Sequence, residues 1–177
     1  MSYNRFLASN KMFKKLENPL IRTYTMIEAK ELGYIESIPI NTKKPIDPNK
    51  PFMFIVKKEE DFCEPEIYPV DEIEKGYIEE TLKSYSKKNY FAQIDFRYTK
   101  KRANKIIDYM KEHLNECDEV ELWSTWFDNY EPATTIYKTI DDITINDIKK
   151  FDDWNDNSPY CIVVTKNKYM EKLWLKL

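Results

Sequence analysis

His113 and Cys117 stand four residues apart, and on a helix that spacing puts an imidazole and a thiol on one face. Two metal ligands, or a thiol and its base, could meet there. His113 is the chain's single histidine, which excludes multi-histidine zinc and iron sites and two-metal centres. Cys63 and Cys161 lie far from Cys117, with no Cys-x-x-Cys pair among the three. A structural role for His113 and Cys117 is therefore favoured over metal binding or thiol catalysis, and neither metal nor cofactor is expected.

Carboxylates are the remaining candidates for proton transfer. Asp95, Glu121 and Asp128 would be the first suspects in a general acid/base site, with Arg97 and Glu119 beside them. The competing reading is a solvent-facing sheet surface with cross-strand ion pairs, which is far commoner. Asp153, Asn155 and Asn157 alternate as calcium-loop ligands do, but Ser158 and Val164 stand where that loop needs glycine and glutamate, so the site is rejected. Gly33 and Gly76 are the two glycines, which rules out a phosphate-cradling or dinucleotide-binding loop of ordinary form. There is no Gly-x-Ser-x-Gly elbow.

The elements that would position these groups are clearest over residues 89–127. Tyr90, Ala92, Ile94, Phe96 and Tyr98 alternate with polar residues, as in a half-buried strand. Thr99 sits where an N-cap belongs, and Ala103, Ile106, Ile107, Met110, Leu114 and Cys117 then form one apolar helical stripe. Glu119 to Phe127 reads as the next strand. The two strands are expected in one sheet with a helix-covered face, either parallel with a right-handed helical crossover or antiparallel with another strand inserted between them.

Before this unit, residues 1–18 are polar and basic, and a short helix from Ser9 or Asn10 is expected. Thr25 and Glu28 make a capping box, Gly33 closes the following helix, and residues 38–51 form a proline-bearing loop. Phe52 to Val56 is a continuous apolar run, expected to be a central strand covered on both faces. Residues 59–71 read as a loop, and Asp71 to about Ser86 as a helix. After the unit come an edge strand over 134–140, a short helix opened by Thr144 and Asp147, a strand over 160–165 and a C-terminal helix over 167–177. The fold class is α+β or α/β, with a single sheet of about four or five strands, helices packed against it, and a helical N-terminal appendage. The chain is expected to be a single domain, residues 1–50 the appendage and 51–177 the core.

At 177 residues, 42% hydrophobic and 15% aromatic, the chain is long and apolar enough to bury a core. The apolar runs are too short for a membrane span or a signal peptide, so a cytoplasmic protein with no membrane partner is expected. The net charge of −3 is mild, but its distribution is uneven. Residues 118–159 carry 11 acidic residues against 3 lysines, while residues 99–117, 160–177 and 1–50 are net basic. The acidic segment also holds Trp123, Trp126, Tyr130, Tyr137 and Trp154.

Acidic groups around aromatic anchors suit recognition of a basic protein, the rings giving contact and the carboxylates steering. The expected surface comprises Trp123, Trp126, Asp128, Tyr130, Asp152, Asp153, Trp154 and Asp156, on a non-enzymatic inhibitor or immunity-type protein. The plainer alternative puts the tryptophans in the core and the carboxylates in solvent. Two other functions are weighed: a small enzyme using Asp95, Glu121 and Asp128, and a nucleic-acid accessory protein using Lys100, Lys101, Arg102 and Lys105 with Lys11, Lys14 and Lys15. The last is disfavoured by the acidic pI of about 5.4. Oligomeric state is not legible in the sequence.

Overall fold

The computed structural model describes residues 3–36, 47–70, 82–126, 131–152 and 158–166. Along them run the strands β1 (Tyr3–Ser9), β2 (Arg22–Thr25), β3 (Pro51–Ile55), β4 (Glu66–Pro69), β5 (Tyr90–Asp95), β6 (Glu119–Trp126), β7 (Thr134–Thr139) and β8 (Tyr160–Thr165). The α-helices are α1 (Met26–Glu31), α2 (Lys100–His113) and α3 (Ile145–Lys149). The chain divides into two compact units, one of Met1–Glu17 with Pro65–Leu177 and the other of Asn18–Glu64.

The larger unit is built on a six-stranded sheet in the order β4-β5-β1-β6-β8-β7. All neighbours are antiparallel except β7 and β8, which are parallel. This corrects the expected single sheet of four or five strands, since the chain forms a six-stranded mixed sheet and a separate two-stranded one, with helices that are mostly short. It also corrects the helical N-terminal appendage: residues 3–9 are an inner strand between β5 and β6. Strand character there is hidden because both faces of β1 are buried, Leu7 in one cluster and Phe6 with Ala8 in the other. Simple alternation of polar and apolar residues is then lost.

β5 and β6 are both antiparallel to β1, hence parallel to each other with β1 inserted. α2 connects them and lies on one face of the sheet. Thr99 Oγ1 accepts from the Arg102 amide at its start, and Ala103, Ile106 and Met110 bury against Leu7, Ile94, Leu122 and Ile162. α3 follows β7, its entry fixed by the Thr144 and Asp147 capping box, and brings Ile148 and Phe151 to the same core. On the other face Phe6 stacks on Trp123, with ring centroids 5.8 Å apart, and Phe91, Leu82 and Cys161 complete a second cluster. Within the helix expected over 71–86, residues 82–85 are helical and 71–81 lie outside the described residues, as does the C-terminal helix expected over 167–177.

In the smaller unit β2 and β3 form an antiparallel ribbon. The capping box is present as read, with Glu28 accepting from Thr25 N at 2.8 Å and Thr25 Oγ1 accepting from Glu28 N at 3.2 Å. α1 buries Met26 and Ala29. The central, doubly covered strand expected at 52–56 is not found: among the described residues β3 pairs with β2 alone, and Phe52 and Phe54 are exposed.

Leu122 is fully buried on β6, opposite Leu7 on one side and Ile162 on the other. Leu122→Ala should cost about 2–5 kcal/mol, read as a lower urea midpoint with an unchanged m-value.

Candidate functional site

The carboxyl end of β5 gathers charged side chains around a buried group. Arg5 on β1 is 6% exposed, yet carries a full charge. Its Nη2 donates to Asp95 Oδ1 at 2.9 Å, and its Nη1 to Asp152 Oδ1 at 3.3 Å and the Phe151 carbonyl at 3.5 Å. The guanidinium also lies 4.4 Å from the centre of the Phe96 ring. Asp152 is further held by the Tyr98 amide, which donates to its Oδ2 at 3.0 Å. The short helical turn after α3 is thereby tied to the loop that leads into α2.

Beside this cluster opens a cleft of about 420 Å³ lined by Tyr98, Asn146, Lys149, Lys150 and Asp152. The Lys149 and Lys150 ammonium groups lie 6.0 and 5.3 Å from the Tyr98 and Tyr160 ring centres. The lining is mixed in charge, and its carboxylate is already an acceptor of two charge-assisted or backbone bonds. A group so engaged suits positioning better than proton transfer.

Glu121 stands elsewhere. It is opposite Ala8, whereas Asp95 is two residues beyond the Phe6–Gln93 pair, a separation along β1 of roughly 13 Å at strand rise. Its Oε2 accepts from Trp123 Nε1 at 2.7 Å and its Oε1 lies 3.8 Å from Lys88 Nζ, which also pairs with Glu119. The suspected carboxylates Asp95 and Glu121 are thus not brought together, and Asp128 lies outside the described residues.

His113 and Cys117 are joined through one hydroxyl. His113 Nε2 is 3.0 Å from Ser9 Oγ, which donates to Cys117 Sγ at 3.6 Å, while Sγ faces the carbonyls of His113 and Glu119 at 3.5 and 3.4 Å. The imidazole stacks on Phe13 with centroids 4.3 Å apart. Burial disfavours its charged form and lowers its pKa below 6.5, the effect of Glu116 being smaller. Ser9 is fully buried, while the imidazole lines a cavity of about 160 Å³ together with Lys14, Leu16, Tyr109 and Glu116. Among the described residues no group of three or more His, Cys, Asp or Glu could hold a metal ion.

Of the expected recognition surface, Trp123 is 6% exposed and belongs to the second core cluster, Trp126 is half-buried, and Asp152 is engaged by Arg5 and Tyr98. Asp128, Tyr130, Asp153, Trp154 and Asp156 lie outside the described residues. Sequence reasoning missed Arg5 and Lys88. Arg5 has a retrospective signal, a cation directly before the apolar run Phe6-Leu7-Ala8. Lys88 has none, since it is one of many lysines.

Comparison of the chain with protein-family models, with curated proteins and with solved structures finds no match. Among the described residues no helix is long and apolar enough to cross a membrane.

Two measurements test the roles assigned here. Arg5→Ala should destabilise by about 1–3 kcal/mol, because Asp152 and the Phe151 carbonyl lose their donor. Asp95→Asn, at a carboxylate 74% exposed, should leave the urea midpoint nearly unchanged. For His113 the unfolded chain takes up the proton more readily than the folded one. Its contribution is therefore complete above the ordinary value of 6.5 and is lost as the pH falls toward the lowered folded value. His113→Gln should remove that portion of the slope in stability between about pH 7.5 and 5.

Proposed function

We propose that the chain is a non-enzymatic protein-binding module that masks a basic protein partner through the acidic segment 118–159, as an inhibitor or immunity-type protein would. The observation that carries the reading is where the charge of that segment reaches the surface. Around β7 the exposed side chains include Glu131, Tyr137, Asp141 and Asp142, an aromatic ring among carboxylates, with Asp142 also accepting from Thr139 Oγ1 at 2.7 Å. Of the carboxylates suspected of chemistry, Asp95 pairs with Arg5 and Glu121 with Trp123 and Lys88. Charge left at the surface acts mainly on encounter rate and selectivity, the properties a masking protein needs.

Nucleic-acid binding is a second reading, resting on the cleft where Lys149 and Lys150 flank Tyr98. The two readings respond differently to one experiment. The tagged chain is used to capture partners from its source cell and eluted with a salt gradient. A basic protein released at moderate salt supports the masking role; recovery of nucleic acid alone supports the second.

With that partner in hand, Trp126→Ala combined with Asp128→Asn should weaken binding by about tenfold or more while the variant stays folded. Unchanged affinity in a folded double variant would remove this part of the segment from the interface.

A further inference from the structure

Asn146, Lys149 and Lys150 follow one another at the helical spacing that brings side chains to one face, here of α3 and the turn that ends it. Tyr98, from the loop between β5 and α2, lines the same cleft. The two segments are tied together by the Tyr98 amide, which donates to Asp152 Oδ2 at 3.0 Å. The space of about 420 Å³ falls in the range of about 300–1,000 Å³ common for small-molecule sites.

The donors of this cleft keep their charge. The Lys149 and Lys150 ammonium groups lie over the Tyr98 and Tyr160 rings, a contact that orients a cation without neutralising it. Among the described residues no hydrogen bond or ion pair takes up either ammonium group or the Asn146 side-chain amide. Asp152, the carboxylate among the described lining, is met by the buried Arg5 guanidinium at 3.3 Å, so its charge is compensated. The cavity beside His113 is the opposite case. There Lys14 pairs with Glu116 and Glu112 at 3.0 and 3.6 Å, and the Tyr109 hydroxyl donates to the Lys14 carbonyl at 2.7 Å. Its charges are satisfied within the chain.

From this arrangement we infer that the cleft binds a small organic phosphate, its phosphate group met by Lys149 and Lys150 and its polar remainder by the Asn146 amide and the Tyr98 hydroxyl. Lysine recognises phosphate as a point charge, and two ammonium groups already held over rings lose less freedom when the anion arrives. The amide and the hydroxyl can each donate and accept, which suits the hydroxyl groups of a sugar phosphate or nucleotide. Asp152 keeps the turn that carries Lys150 against the loop that carries Tyr98. The inference is independent of the masking role, and it differs from nucleic-acid binding in needing one phosphate group rather than a chain of them.

The test uses the full chain, isotopically labelled for NMR and titrated with ribose phosphate, adenosine monophosphate, ribose and inorganic phosphate. At low salt at least one of the two phosphomonoesters should shift the Tyr98, Asn146, Lys149 and Lys150 amide signals, with a Kd of about 1 mM or tighter. Ribose should not shift them, inorganic phosphate should bind more weakly than the monoester, and added salt should weaken all phosphate binding. Lys149→Gln with Lys150→Gln should weaken monoester binding by at least about tenfold in a folded chain, since both side chains are exposed. Lys30→Gln with Lys57→Gln makes the same change in net charge within the smaller unit and should leave binding unchanged.

No shift at these four residues with either phosphomonoester up to roughly 10 mM would overturn the inference. So would equal weakening by the Lys30 and Lys57 pair of substitutions, which would mean a general response to charge. Inorganic phosphate binding as tightly as the monoesters would reduce the cleft to an anion contact and overturn the organic ligand. A single-stranded oligonucleotide of about ten residues that shifts these signals where neither monoester does would overturn it in favour of the nucleic-acid reading. The salt-gradient capture decides the masking role separately.

Discussion

The larger unit depends on one insertion, that of β1 between β5 and β6. Each of those strands has a second neighbour, β4 or β8, but they reach each other through β1 alone. Without it the sheet would fall into two pieces, and α2, which spans from β5 to β6, would cover a gap. β1 also carries one side chain from nearly every structural layer. Leu7 belongs to the core under α2, Phe6 and Ala8 to the opposite cluster, Ser9 to the contact with His113, and Arg5 to the ion pairs with Asp95 and Asp152. The burial of Arg5 follows from that position, since any residue of an inner strand facing the helices must be either apolar or fully partnered.

The parts legible in the sequence are those where one physical signal acts alone. Thr99, the stripe from Ala103 to Leu114 and the alternation of β5 define a strand and helix because one face is wet and the other dry. The capping boxes at Thr25 and Thr144 are local hydrogen bonds that need no tertiary context. What escaped is what tertiary context decides. β1 lost its alternation through double burial, and β4 is four residues long with a proline at its end. Phe52 to Ile55 is apolar enough for a sheet centre but pairs with one short strand, and a run of five apolar residues does not distinguish the two.

For the candidate site the division is similar. Residue types alone identified Asp95, Glu121 and Asp152 as charged groups of interest, but not the partners that occupy them. Trp123 shows the same limit from the apolar side: an indole among acidic residues reads as a surface anchor, yet it stacks on Phe6 and uses Glu121 as the acceptor for its own N–H. A carboxylate next to a tryptophan in sequence can serve that ring's burial as well as a partner's recognition. Charge counted along a segment therefore becomes informative only after the engaged groups are subtracted.

The place of β1 in the sheet also has a consequence during synthesis. Ser9 pairs with Tyr90 and Tyr3 with Trp126, so the strand is made long before either neighbour exists. At typical translation rates the chain needs roughly ten seconds to extend from β1 to the end of β6. Both edges of Phe6, Leu7 and Ala8 lack a partner until β5 is made, and the second edge lacks one until β6 is made. Such non-local pairing is slow to form and open to wrong partners. A strand among the best buried in the finished sheet is therefore one that must wait for partners made more than eighty residues later.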